Sequence, residues 1–467
     1  MSELTTTRAV SPAPDPCRSS RPRDVRVRDG EEAFVIAERV VGVQAPIQVV
    51  WVFDTDPGEE SIRQWHTELG HGLLNRRAVA PRVPLARHRW VRAAPPAGPK
   101  LQAQTIADDD VQGWLADHLR HTPISPTHGH AWDVAAVLTT SGRRVVSLLA
   151  SHMACDGRGL RAELQRAVSG ECVNTLPDIE VTRGWAGLRA DLRDAAGQIV
   201  AAATAVGTLV RVAAASRSRD QQKPAPRARR VRPCRREQDR EISVVVVDID
   251  RDHWTARARE LQGTNNSLFA AVLAGVVRRA EEVPEDAELA LCVVVDRRSA
   301  DDDRANAAGG VWIRVRGPQT PERGLAEIRH AVKAQLIDYA ESGRRDGAEE
   351  LHALVRLVPG ALMKRVVGSF PAPDTTLSNL GVITDDILTI GGVAASSHFI
   401  ASASRGLSSQ GRRRYARPYV TAFCNEYADR VTLVVCGLHP DFYGDRDQLQ
   451  RWIDEEVRVW GLTATPW

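Results

Sequence analysis

Val145-Val146-Ser147-Leu148-Leu149-Ala150-Ser151-His152-Met153-Ala154-Cys155-Asp156-Gly157 is the stretch whose reading decides the fold. Val145, Val146, Leu148, Leu149 and Ala150 make a short, partly β-branched apolar run, as expected of a strand buried on both sides. His152 follows on the turn, Asp156 comes four positions later, and Gly157 permits a change of direction before Leu160, Leu164 and Val168 recur at helical spacing. The order is strand, loop, helix. A neutral imidazole at such a point takes a proton from a hydroxyl or amine near pH 7, and the positive end of the following helix disfavours its protonated form. The bland alternative is a loop histidine beside a helix N-cap.

Working outward, Val134 to Leu138 and Val145 to Ala150 flank Thr140-Ser141-Gly142-Arg143, which reads as a hairpin. Upstream, Phe34 to Ile36 and Ile47 to Phe53 are strand candidates, and Asp56-Pro57 begins a helix whose apolar face is Ile62, Trp65, Leu69 and Leu73. Trp185 to Ala215 reads as helical, and Ala195 to Val210 carries no charge. Sixteen mostly alanine-grade residues fall short of the roughly 20 strongly apolar ones a membrane span needs, so a buried or surface-packed helix is expected, with peripheral attachment at the inner membrane surface left as a side reading.

Residues 216–240 hold ten basic side chains against three acidic ones, with Pro224, Pro226 and Pro233. They read as an interdomain linker. No aromatic residue interleaves with these arginines, which argues against a nucleic-acid platform. Beyond them come an apolar strand from Ile242 to Ile249, an Asn265-Asn266-Ser267 cap opening the helix Leu268 to Val277, a buried strand from Leu289 to Val295, helical spacing over Leu351 to Val367, and a closing strand and helix at Val431 to Leu438 and Gln448 to Val459.

At 467 residues the chain is long enough for two domains of about 200 residues each. Hydrophobic residues at 43% and charged residues at 26% exclude wholesale disorder, and a net charge of +3 names no partner. The cations are arginine apart from Lys100, Lys223, Lys333 and Lys364, a compositional bias rather than a nucleic-acid signal. Seven cysteines without Cys-x-x-Cys spacing suit a reduced, cytoplasmic setting. The first 30 residues lack a signal-peptide core and read as a disordered tail.

The stretch Ser151 to Gly157 resembles the His-His-x-x-x-Asp-Gly motif of the acyltransferase superfamily that holds condensation domains, polyketide-associated acyltransferases, alcohol acetyltransferases and wax ester synthases, and more distantly chloramphenicol acetyltransferase. The family's base falls on His152, and Ser151 stands where the first motif histidine would be. Thr375 to Gly381 (TTLSNLG) is similar to the family's Ser-Asn-Leu-Gly segment, and Val293 to Gly310 (VVVDRRSADDDRANAAGG) to its strand, arginine loop and Asn-x-x-Gly region. The three landmarks occur in family order.

The resemblance implies a mixed α/β fold of two chloramphenicol-acetyltransferase-like halves, a pseudodimer around a central tunnel, here residues 31–215 and 241–467. It implies an acyl group moving from a CoA or carrier-protein thioester to a hydroxyl of a lipid, glycolipid or secondary metabolite, with His152 as base, no bound cofactor, no metal and no covalent enzyme intermediate. Acyl-CoA or a phosphopantetheinyl carrier is the co-substrate, and an acyl carrier protein a partner. Asp156 pairs with an arginine of the other half, Arg297 or Arg298. Gly157 serves backbone geometry; Ser151, Ser378 and Asn379 are tunnel or oxyanion candidates, with a hydrogen bond to the loop as the alternative for Ser151 and a turn as the alternative for Ser378 and Asn379. Two alternatives stand: an amide-forming condensation enzyme using an amine acceptor, and a catalytically silent scaffold that binds an acyl carrier or partner. Cys155 as a nucleophile, a His128-x-His130 metal pair and an anion-greeting Arg412-Arg413-Arg414 run are weaker readings of single features.

Overall fold

A computed structural model describes residues 25–94, 96–171, 174–217, 240–298, 304–342, 372–415 and 418–467. Two mixed sheets carry the fold. The first runs, in spatial order, Ser397–Ser402, Pro46–Phe53, Arg144–Ser151, Trp132–Leu138 and Lys100–Leu101. The second runs Thr465–Pro466, Ser243–Asp250, Arg430–Gly437, Val420–Tyr427, Thr375–Val382, Glu288–Asp296 and Ala308–Arg316.

The strands Pro46–Phe53 and Arg144–Ser151 are mostly apolar because both of their faces are covered, and the buried Gln48 donates to Ser147 Oγ at 3.0 Å. On one face Val49, Trp51, Val146, Leu148 and Ala150 meet Ile62, Trp65 and Leu69 of helix Glu59–Gly70 and Leu160 and Leu164 of helix Gly157–Ser169. On the other, Val50, Val52, Val145 and Leu149 share a cluster with Val246, Val434 and Cys436 of the second sheet. That cluster joins the halves. The second sheet buries its far face under helices Arg251–Glu260, Asn265–Glu281 and Arg446–Val459.

The second half also lends a strand to the first sheet. Ser397–Ser402 pairs antiparallel with Pro46–Phe53, from Ile47 opposite Ser402 to Val52 opposite Ser397. A division that gives residues 241–467 wholly to the second half therefore needs correcting here, since this strand completes the first half's sheet. Its apolar run, Phe399 to Ala401, looks the same whichever sheet receives it.

Other expectations also shift. Phe34 to Ile36 belongs to a helix, Asp29–Val41, and not to a strand. Three apolar residues are too few to show a period, while Glu31 and Glu32 at the positive end favour the helix, and the Arg28 N–H donates to Glu31 Oε2 at 2.8 Å. Order begins before residue 31: Val27 is wholly buried and Arg26 forms an ion pair with Asp191 at 2.8 Å, so the tail expected over 1–30 does not extend through residues 25–30. Residues 1–24, all but the ends of the 216–240 linker, and the helical spacing over 351–367 lie outside the described residues.

The strand expected over Leu289 to Val295 forms as Glu288–Asp296, second from the sheet edge, and only Leu289 and Leu291 are fully buried. The long helix Gly184–Arg217 lies on the surface, holding on through Asp191, Ala195 and Ala202 while Trp185, Leu192, Ile199 and Val200 face outward. Among the described residues, no helix is long and apolar enough to cross a membrane.

Candidate active site

The motif strand ends at Ser151, where its neighbour Pro46–Phe53 begins, and the chain turns tightly. The Ser151 carbonyl accepts from the N–H groups of Ala154 and Cys155 at 2.8 and 3.1 Å, and the Ser151 hydroxyl accepts from Met153 N at 3.3 Å. Ser151 thus serves the loop. His152 is anchored by its own N–H, which donates to Ala45 O at 3.1 Å, and its ring lies against the Phe34 ring, centroids 5.3 Å apart and planes 13° from parallel.

Asp156 caps helix Gly157–Ser169, Oδ1 accepting from Gly159 N at 2.7 Å. It also reaches the other half. Arg298 Nη1 donates to Asp156 Oδ1 at 2.6 Å and Oδ2 at 2.8 Å, and Ala307 N donates to Oδ2 at 2.6 Å. Arg298 Nη2 turns back to the carbonyls of Arg304 and Ala305 at 2.8 and 3.1 Å. Of the two arginines expected to compete for Asp156, Arg298 makes the pair. Arg297 lies over Gly309, where a Cβ would fall 2.7 Å from its Cδ. Burial would raise the Asp156 carboxyl, but Arg298 and the two N–H donors outweigh burial and hold it below the usual carboxylate range.

Gly157 has an ordinary φ, and its constraint is space: a Cβ there would sit 2.6 Å from Leu380 Cδ2, so a larger residue has to displace the end of that leucine side chain. That leucine belongs to the Ser-Asn-Leu-Gly segment in strand Thr375–Val382. The segment breaks register between Asn379 and Val382, with Gly381 at φ +69°. Asn379 Oδ1 accepts from Gly381 N at 2.8 Å, and its Nδ2 touches Asn266 Oδ1. Asn379 therefore fills the turn-forming part of its two expected roles. Ser378, one residue earlier, takes the opposite face of the strand by alternation and is half-buried. Arg161 Nη2 donates to Val382 O at 2.7 Å and its Nη1 grips Leu380 O, tying the motif helix to the bulge.

Asn306 and Phe34 complete the surroundings of His152, and neither was among the site residues expected from the sequence. Asn306 Nδ2 lies 2.9 Å from both Nδ1 and the main-chain oxygen of His152. Its own N–H donates to Glu31 Oε1 at 3.1 Å, on the helix that carries Phe34. The family-like Asn-x-x-Gly spacing was a signal for Asn306, whereas Phe34 gave none because its segment reads as a strand.

Burial pulls the His152 imidazole below its ordinary pKa, against the opposing effects of the ring's hydrogen bond to its own main chain and the Asp156 charge. Such a ring is neutral at pH 7 and able to accept a proton. Burial pushes the Cys155 thiol far up, and its Sγ lies 3.7 Å from Ser151 O, which removes the thiolate a nucleophile needs.

His128 Nδ1 is spent on Ser125 Oγ at 3.0 Å, and among the described residues no three His, Cys, Asp or Glu side chains could hold a metal ion. The arginine run is not an open cationic face. Arg412 is buried, and Arg413 makes a forked pair with Asp441 at 2.8–3.0 Å.

Set beside solved structures, the chain superposes over 94% of its length on all of the wax ester synthase/diacylglycerol acyltransferase from Marinobacter aquaeolei VT8, with a TM-score of 0.55 and 12% identity. The chain has the condensation-domain fold. The first condensation domain of the CDA synthetase matches 96% of this chain and 98% of its own, with a TM-score of 0.55 at 13% identity. The condensation domain of the Monacolin K polyketide synthase MokA matches 94% and 96%, with a TM-score of 0.52 at 13% identity. No family model matches the chain, and no curated protein matches it. The pseudodimeric mixed α/β architecture that the resemblance implied is the one these condensation-domain-fold structures share.

Proposed function

We propose that this chain is an acyltransferase that moves an acyl group from a CoA or carrier-protein thioester to the hydroxyl of a lipid, glycolipid or secondary metabolite. The observation that carries the reading is His152 itself: a neutral, half-buried imidazole at the end of a strand, backed by Phe34 and gripped by Asn306, where the two halves meet. A thioester is reactive enough that a positioned hydroxyl needs only a base, orientation and some stabilisation of the oxyanion.

His152 takes the hydroxyl proton as the oxygen attacks the thioester carbon. The tetrahedral intermediate then expels thiolate, which recovers the proton from the imidazolium. No acyl-enzyme forms, in keeping with the suppressed Cys155 thiol. Asp156 and Arg298 hold the loop and neutralise each other. Ser378, on the strand face opposite Asn379, is a candidate to line the donor channel or meet the oxyanion.

The condensation domains among the similar structures favour, as a second reading, amide formation with an amine acceptor on a carrier-bound donor. Incubating the full chain with acyl-CoAs and acylated carrier protein, each with an alcohol pool or an amine pool, separates the two by mass spectrometry of the products. O-acyl products support the first reading and N-acyl products the second. Neither product from any donor, with a folded protein, overturns both.

A further inference from the structure

Asn306 reaches His152 from the second half, two residues ahead of the strand Ala308–Arg316. Its amide has one allowed orientation. The Ala308 N–H donates to Oδ1 at 3.0 Å, so the NH2 end faces His152, 2.9 Å from Nδ1 and 2.9 Å from the main-chain oxygen. A flipped amide would set NH2 against an N–H and oxygen against a carbonyl. Glu31 holds the Asn306 main chain from behind, and Phe34 on the same helix covers one face of the imidazole. An imidazole offers two nitrogens in its plane. With Nδ1 accepting from Asn306, the neutral ring carries its one proton on Nε2, the nitrogen that faces away from Asn306.

We propose that Asn306 is the positioning residue that sets the tautomer and basicity of His152. The proposal rests on the acyl-transfer reading only for the use to which Nε2 is put. An amide N–H facing Nδ1 favours a lone pair there, while the histidine's own carbonyl favours a proton there, and Asn306 adjusts the balance because it donates to both. Nε2 accepts the hydroxyl proton only in the tautomer whose one ring proton sits on Nδ1. The ring first shifts to that tautomer, with Nδ1–H toward the histidine's own carbonyl, and the imidazolium then carries a proton on each nitrogen. Asn306 then donates to the carbonyl alone. When thiolate recovers the proton, the ring returns to neutrality and Asn306 has neither gained nor lost one. A donor against Nδ1 opposes the imidazolium, so Asn306 keeps the base from being protonated by water before substrate arrives.

The charged groups around the ring are otherwise occupied. Asp156 is neutralised by Arg298, and Glu31 accepts from Arg28 N, Trp90 Nε1 and Asn306 N. Glu38, farther along the Phe34 helix, accepts from Gln44 Nε2. Arg158 pairs with Asp296, Arg161 holds the carbonyls of Leu380 and Val382, and Arg304 donates to Arg297 O. Among these described neighbours, Asn306 alone presents an N–H to Nδ1.

The test is titration of His152 by nitrogen-15 NMR in the full chain, its signal assigned by loss in His152→Gln, for wild type, Asn306→Ala and Asn306→Asp. The expected order of imidazole pKa is wild type lowest, then the alanine variant, then the aspartate variant, the last raised by about one unit or more because a carboxylate beside Nδ1 favours the charged ring. In Asn306→Ala the resting proton moves toward Nδ1, which leaves Nε2 free as the base more of the time, so turnover does not fall and rises by a few-fold with KM little changed. In Asn306→Asp the acid limb of the rate profile moves to higher pH. If the aspartate variant does not fold, Asn306→Ser, which keeps a shorter donor, should fall between wild type and alanine. Titration and tautomer unchanged in folded variants overturn the proposal. Titrations that move in a protein that transfers no acyl group uphold it and overturn the acyl-transfer reading instead.

Discussion

Replacing Arg298 with methionine removes the cation from a joint in which nearly everything is buried. The Asp156 and Arg298 side chains are 4% and 12% exposed. Four hydrogen bonds go: two to Asp156 and one each to the carbonyls of Arg304 and Ala305. Asp156 keeps Gly159 N and Ala307 N, which soften the loss without neutralising the carboxylate. Breaking a buried pair by removing one partner costs roughly 3–5 kcal/mol, and this geometry belongs in that range.

The cost depends on pH, and its sign is fixed by Asp156. In the wild type its folded pKa is depressed, so the pair contributes stability above the unfolded carboxyl pKa of about 3.9 and loses it as pH falls through the folded value. In Arg298→Met the carboxyl protonates at higher pH, which relieves the variant first. Urea unfolding followed by tryptophan fluorescence should therefore show the largest gap between wild type and variant near pH 7 and a shrinking gap toward pH 4. A gap below about 1 kcal/mol, the scale of an exposed pair, or one that does not change with pH, would refute the reasoning.

Gly157→Ala sets a methyl 2.6 Å from Leu380 Cδ2 and should cost about 1–3 kcal/mol, and Leu380→Ala in the same chain should recover part of that loss in a double-mutant cycle. Cys155→Ala should keep thioester consumption within a few-fold of wild type, and native Cys155 should resist iodoacetamide; loss of activity in a folded variant would revive the nucleophile. His398 is wholly buried against Trp51 and Tyr427, and burial lowers its pKa to about 3. The unfolded chain then binds a proton below pH 6.5 that the folded chain refuses until about pH 3, so stability falls through that window, and His398→Gln should flatten the decline. An unchanged slope in that variant counts against this account.

The motif strand, the hairpin before it and the helix after it were legible because a two-sided apolar run, a glycine turn and a 3.6-residue period all fall within 35 residues. The pairing of Asp156 with one of two adjacent arginines was legible only as a choice. Which arginine pairs follows from the turn at Arg304 and Ala305, whose carbonyls take the rest of the Arg298 guanidinium. Phe34 stayed hidden because helix and strand look alike over three apolar residues, and with it went the stacking partner of His152. The crossing of Ser397–Ser402 to the first sheet was illegible for a different reason. Antiparallel pairing across 350 residues of sequence leaves no local mark, and an apolar strand suits either sheet. Gly157 was read as serving backbone geometry at a change of direction, but its neighbour Leu380 lies more than 200 residues away, and no local pattern shows that close approach.

Free-thiol release from a panel of acyl-CoAs and acylated carrier protein, with and without an alcohol pool, for wild type and a folded His152→Ala variant, tests the central claim most directly. The account predicts release that depends on the acceptor and falls by about 100-fold or more in the variant, at the scale of a lost general base. Acceptor-dependent release that persists undiminished in His152→Ala would contradict it.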